Sequence, residues 1–210
     1  VYHEGITRLE SKDFRYAQEL GYAIKLLAMA KREENGLQVR VHPTFIPITH
    51  PMANVDGVFN AVEVEGDLAG KVMSHGQGAG SSATSSAIVA DILEIARGIT
   101  SAVQPMLLPK QESSLVIRPI AELTTRYYLR LSVIDRAGVL AQITRILGEL
   151  NVSIASVIQK ETNSQDGTAE IVITTHLARE ASVQKAMQQL VHLPLVHEVR
   201  NFVRVENWSP

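Results

Sequence analysis

With 210 residues, 45% hydrophobic and 20% charged, the chain is long enough for one large or two small domains with buried cores. A formal net charge of −2 gives no electrostatic reason to expect nucleic acid or an acidic membrane as partner. The lack of cysteine excludes disulfides and thiol chemistry and fits a reducing cytoplasm, and no apolar run is long enough to span a bilayer as a helix. The chain begins at Val1 rather than Met, and VYHEGITRLE shows no obvious helix cap; both suggest a piece of something longer.

Asp13 to Leu20 reads as a short helix ended by Gly21. In the stretch that follows, Ile24, Leu27 and Lys31 would also suit a helix. The Glu34-Asn35-Gly36 turn and the alternation of LQVRV favour a hairpin instead. Pro43, Pro47 and Pro51 then predict a break in the backbone, because each lacks the N–H that a ladder needs. NAVEVEGDLAGKVMSH reads as a second hairpin turning at Glu65 to Gly70. HGQGAGSSATSSAIVADI follows directly and leads into a helix with Ile88, Ile92, Ile95 and Ile99 on one stripe. The weakly patterned, proline-containing segment 99–124 is the linker candidate.

From residue 125 the pattern sharpens. RYYLRLSVI is a strand, and AGVLAQITRILGEL is a helix with Leu140, Ile143, Leu147 and Leu150 on one stripe. Two further strands meet at a turn over Asn163 to Gly167, a helix directs Val183, Ala186, Met187 and Leu190 inward, and LVHEVRNFVRV closes as a strand. The order β-α-β-β-α-β is the ferredoxin-like split βαβ, with both helices on one face of a four-stranded antiparallel sheet.

The glycine loop stands between a strand and a helix, where backbone N–H groups can converge on an anion. Its spacing, Gly76-x-Gly78-x-Gly80, is not the dinucleotide fingerprint G-x-G-x-x-G, and no Gly-Lys-Ser/Thr follows as in a P-loop. On pattern alone it is either a tight structural turn or a cofactor contact. His42, His50 and His75 have no metal-ligand spacing and read as surface or hydrogen-bonded residues, so no metal site is expected. Glu63 and Glu65 read as a solvated strand face, and Lys12, Arg15, Lys25 and Arg32 form no basic tract. Tyr127 and Tyr128 could stack on RNA bases in a βαββαβ sheet, but the rest of that motif is absent.

Several motifs occur together in the first 98 residues: HEGI at 3–6, LGYAIKLLAMA at 20–30, His50-Pro51-Met52-Ala53, Asn60-Ala61, the Gly76–Gly80 loop, Thr84 and Asp91. In that order they resemble the distal part of the homoserine dehydrogenase family's catalytic and dimerisation region. The resemblance implies an NAD(P)-dependent oxidoreductase interconverting aspartate semialdehyde and homoserine, in threonine and methionine biosynthesis. It implies that the helix after the loop completes a nucleotide-binding domain that starts upstream, with Gly80, Ala79 and Thr84 at the NADP or NAD site. One departure is Ala83, where the family often has proline. The family's catalytic lysine and acidic residues lie in a D-P-x-x-D…K pattern that these 210 residues lack, so no catalytic residue is assigned and the chain alone is expected to be inactive.

IDRAGVLAQITRILGELNVSI, residues 134–154, resembles an ACT domain, a small regulatory module that often binds amino acids. The resemblance puts an effector at Asp135, Ala137, Gly138 and Val139, where a helix N-terminus suits a carboxylate. A neighbour's Asn151 and Ile154 would close the pocket, and L-threonine would be the effector. The expected fold class is thus α+β: a partial mixed or antiparallel sheet with helices from the substrate domain over 1–98, then the ferredoxin-like ACT domain over 125–210. An apolar sheet face at Ile24–Leu27 and Val39–Val41 predicts a homo-oligomer, a dimer or tetramer. The rival reading is a non-catalytic amino-acid sensor whose first half is a dimerisation platform.

Overall fold

The computed structural model describes residues 1–101, 115–163 and 167–206. They group into two compact units, Val1–Ala53 with Leu115–Pro210, and Asn54–Ser114. This grouping by contact differs from the division at residues 98 and 125 read from the sequence. Its cause is strand pairing between the two ends of the chain.

The first unit opens with β1 (Tyr2–His3) and α1 (Ser11–Glu19), followed by β2 (Tyr22–Glu33) and β3 (Gly36–Pro47) in one long antiparallel hairpin. α1 starts two residues before the expected Asp13, because the Asp13 carboxylate turns back and accepts the Glu10 N–H at 2.9 Å. The prolines do not break β3. Pro43 is paired with Leu26, and the groups of Val41 and Phe45 on that same side of β3 serve other partners: Val41 accepts from the Glu4 N–H and Phe45 from the Glu206 N–H. Pro43 lies between these two bonds, so its missing N–H costs the hairpin nothing.

The sheet then continues through the C-terminal half: β6 (Thr124–Ile134), β7 (Ile154–Asn163), β8 (Thr168–Thr175) and β10 (Val196–Val205) run antiparallel in the order β10-β6-β8-β7. That is the expected ferredoxin-like arrangement; a two-residue strand, β9 (Ala178–Arg179), adds to the edge of β6. The expected linker shortens at both ends. Helix α2 (Ser81–Ser101) extends into it, residues 102–114 lie outside the described residues, and Ile117 bridges in parallel to Leu37.

What the sequence pattern did not anticipate is that β10 pairs in parallel with β3, Arg204 with Thr44 and Val205 with Phe45, so that one sheet of eight strands crosses both halves. Both faces of its C-terminal part are covered. On one face α3 (Val139–Glu149) and α4 (Glu180–Val191) bury Ile143, Leu147, Val183, Ala186 and Leu190 against Leu129, Leu131 and Ile173. Leu140, expected on that stripe, is exposed, and Val139 and Ile146 are buried in its place. On the other face α1 packs Tyr16 and Ala17 over Phe45, Tyr128, Val172 and Val203. Phe45 stacks on Tyr128 with ring centres 4.6 Å apart. Neither Tyr127 nor Tyr128 is accessible to a base, since both are fully buried.

Two buried arginines fasten the N-terminal segment to this sheet. Arg130 donates to Asp13 through Nε at 2.7 Å and Nη2 at 3.1 Å, and to Glu170 through Nη1 at 3.0 Å. Tyr128 and Asn201 also donate to Asp13, at 3.0 and 2.7 Å, so this fully buried carboxylate is saturated with donors. Arg204 holds Glu180 at the start of α4, and reaches Glu4 at 2.9 Å and the Tyr2 hydroxyl at 3.0 Å. Charges buried this deeply persist only when fully paired.

The pH dependence of stability follows. Burial, with the Arg204 guanidinium next in effect, lowers the His42 pKa to about 4. The unfolded imidazole takes up its proton near pH 6.5. Between those values the unfolded chain binds more protons, so stability is full above pH 6.5 and falls as the pH drops towards about 4. Burial acts to raise the Asp13 pKa, but its hydrogen bonds from Arg130, Glu10 and Asn201 outweigh that and leave it lowered, so its share is lost at still lower pH. Urea midpoints are expected to hold from pH 7.5 to 6.5 and to fall from there to pH 3; a midpoint constant between pH 6.5 and 4.5 counts against the His42 contribution.

The second unit contains a short 3-10 turn end, the hairpin β4 (Phe59–Gly66) with β5 (Gly70–Gln77), and α2. The expected stripe of α2 is exposed: Ile88, Ile92, Ile95 and Ile99 are all more than half accessible.

Candidate functional site

Two places carry the residues that the sequence singles out. In the second unit the loop Gly76–Gly80 joins β5 to α2. Of the N–H groups expected to converge on an anion, two are taken up inside the unit. Gly78 and Ala79 both donate to the Val58 carbonyl, at 2.9 and 3.2 Å, and are occupied within the unit. Thr84 lies on the exposed first turns of α2 and donates its N–H to Gly80 at 3.0 Å. Gly80 itself has φ +114°, which side chains rarely adopt, and a Cβ there would meet nothing within 4 Å. Its backbone therefore presents a bare face to open space. Phe59 and His75 stack in the hairpin at the root of the loop, ring centres 4.8 Å apart.

In the first unit, a cleft of about 260 Å3 lies where β6 turns into α3. Gly138 precedes the helix with φ +89°, and no side chain caps the first turn of α3. The turn thus presents the positive end of the helix dipole to whatever enters, while the Val139 N–H already donates to the Arg136 carbonyl at 3.4 Å. Asp135, Ala137, Gly138 and Val139 line the cleft together, as the sequence reading requires. Asn151 and Ile154 do not line it within one chain. Asn151 has φ +57° and closes α3: its N–H donates to Gly148 at 3.0 Å, and the next N–H, of Val152, to Leu147 at 2.8 Å. This is the pattern of a helix C-terminus ended by a left-handed residue. Ile154 is half-buried at the start of β7 and packs on the core.

Six further lining residues escaped the sequence reading: Val133, Ile134, Arg136, Leu140, Gln159 and Ile171. Arg136 is an exposed cation beside the helix start and was legible, being the neighbour of Asp135 in the same turn. Gln159 and Ile171 come from β7 and β8, and nothing short of the strand order brings them there. Charge in the cleft is thus paired in kind, an acid at Asp135 and a base at Arg136. Such a pair matches a molecule that carries both a carboxylate and an ammonium group.

Among the described residues, no group of three or more His, Cys, Asp or Glu side chains is placed to hold a metal ion. His42 is fully buried: with Nδ1 protonated it donates to the Pro43 carbonyl at 2.9 Å. Among the described residues, no helix is long and apolar enough to cross a membrane.

Comparison with known proteins gives two domain matches, homoserine dehydrogenase over residues 1–93 and the ACT domain over residues 127–193. A homoserine dehydrogenase of Neisseria gonorrhoeae is 44% identical over 98% of the chain, and one of Pseudomonas aeruginosa is 42% identical over 98%. The crystal structure of a homoserine dehydrogenase from Thiobacillus denitrificans superimposes with a TM-score of 0.83 at 42% identity, covering 97% of the chain and 47% of that protein. The chain spans about half the length of the curated relatives it matches, 48% and 49% for the two bacterial enzymes.

Proposed function

We propose, from the matches to homoserine dehydrogenase over residues 1–93 and to the ACT domain over residues 127–193, that the chain is the C-terminal portion of an enzyme interconverting aspartate semialdehyde and homoserine. It would supply one wall of the NADP or NAD site and a module that senses an amino acid. The observation that carries this reading is the presence of both matched domains, in that order, with a cleft in the second that is lined by an acid, Asp135, and a base, Arg136.

The loop residues fit the dinucleotide as a partial wall. Gly80 leaves room for a flat ring to approach the backbone, and the first turns of α2, including Thr84, stand exposed beside it. When bound, the nicotinamide supplies the hydride chemistry. The task of Gly80, Ala79 and Thr84 would be to shape the wall and to leave the approach clear of side chains. No D-P-x-x-D…K pattern occurs in these residues, so none is given a proton-transfer role. We expect the 210-residue chain alone to show no NADP-dependent oxidation of homoserine; turnover by the purified chain would refute this.

In the ACT cleft, the effector's carboxylate would sit on the N–H groups that open α3, with Asp135 taking the ammonium. L-threonine is the proposed effector. A neighbouring chain would bring Asn151 and Ile154 to the mouth, within a homo-oligomer in the cytoplasm. An oligomer is favoured by an apolar face of β2 and β3 left open beyond α1, where Leu26 is 55% exposed and Val39 and Val41 are half-buried.

Calorimetric titration with L-threonine tests the effector reading, with L-isoleucine and L-homoserine as controls. Saturable binding selective for threonine is expected, weakened about tenfold or more in Gly138→Val, a loss of roughly 1.4 kcal/mol or more. Folded protein that gives no heat with any of the three would leave the domain with a role in assembly alone.

A further inference from the structure

The cleft and the N-terminal helix lie on opposite sides of the same two strands. Val133 and Ile171 line the cleft. Glu170 is the neighbour of Ile171, and successive side chains of a strand point to opposite faces. Glu170 therefore reaches the other side, where its carboxylate accepts from Arg130 Nη1 at 3.0 Å and from the Tyr16 hydroxyl of α1 at 2.9 Å. Arg130, in the strand that ends at the cleft, is 1% exposed and carries the contact on to Asp13. Asn201 completes the cluster from β10, next to an irregularity in its pairing with β6 between Val199 and Asn201. Arg8 and Asn201 tie the approach to α1 to the same place, with Arg8 donating to the Val199 carbonyl and Asn201 to the Arg8 carbonyl.

We infer that α1 is the element through which occupancy of the Asp135–Gly138 cleft is read, with the Glu170–Arg130–Asp13 cluster as the connection. This rests on the amino-acid reading of that cleft. A ligand that presses on Ile171 or Val133 meets a close-packed layer with no slack to absorb the shift. Glu170 and Arg130 move with their strands, and both hold α1 by charged hydrogen bonds that are sensitive to a few tenths of an ångström. Linkage makes the effect reciprocal: whatever the effector does to α1, loosening α1 does to the effector's affinity.

Amide hydrogen exchange over residues 11–19 of the 210-residue chain, normalised to exchange in β8, tests the connection. L-threonine at saturation is expected to change α1 exchange roughly fivefold or more, the lower end of ordinary coupling. Glu170→Gln is expected to keep threonine binding and abolish that change. A ligand-free arm perturbs the cleft directly, with Gly138→Val, and Leu140→Ala as the milder change should the first not fold. Either is expected to alter α1 exchange without threonine. Threonine that binds while α1 exchange stays constant overturns the inference. If threonine gives no binding heat, the effector reading fails; the inference then stands or falls on the cleft variants, and α1 exchange identical to the parent's in both overturns it.

Discussion

Replacing Arg130 with methionine is expected to lower the unfolding free energy of the chain by about 3–5 kcal/mol, the usual cost of breaking one side of a buried ion pair. Asp13 is fully buried, and in the variant it keeps Tyr128, Asn201 and the Glu10 N–H but no cation. Burial, which already acts to raise its pKa, would then be opposed by less. The acid dependence of the variant should move to higher pH, as Asp13 takes a proton more readily. Adding Asp13→Leu to Arg130→Met should recover only part of the loss, since it removes the unpaired charge but leaves the Tyr128 and Asn201 donors without Asp13. Urea denaturation followed by circular dichroism measures all three chains. A single variant costing under about 1 kcal/mol would place the pair among those that contribute little.

Phe45→Ala is expected to cost a similar amount, about 3–5 kcal/mol, through the lost apolar burial and the cavity it leaves. Phe45 is completely buried between Tyr22 and Tyr128, and its backbone is part of the parallel seam with Val205. The cavity would open under α1, so exchange in α1 should rise along with the fall in stability. Val62→Ala, on the exposed face of the β4–β5 hairpin, serves as the contrast and should change stability by no more than about 0.5 kcal/mol. Equal costs at the two positions would mean that the seam contributes nothing particular.

The C-terminal half was legible because its signals are local. Leu129, Leu131 and Val133 alternate along β6, and Ile143 and Leu147 repeat at helical spacing in α3, so each element declares its own buried face. The same alternation misleads at Tyr128 and Arg130. They occupy the positions that usually face water, yet α1 covers them, and the ion pair that decides this joins residues 117 positions apart. Pro43 was misread for a related reason. Proline forbids a donor on one side of a strand only, and which side is free depends on β1 and β10, neither of them near in sequence. At the candidate site, Asp135 and Gly138 could be picked out as a strand end and a left-handed helix start. Gln159 and Ile171 could not, since they reach the cleft only through the order β6-β8-β7.

The parallel seam between β3 and β10 also sets a timetable. Glu4 finds Arg204 only after 200 further residues have been added. At about 5–20 residues per second of synthesis, that is roughly 10–40 s during which Glu4 waits for its cation, and Phe45 waits nearly as long for Val205 beside it. Pairings of such long range are slow to close and leave apolar surface open to wrong partners meanwhile. The first half of the chain is thus the part most in need of a chaperone's cover at birth.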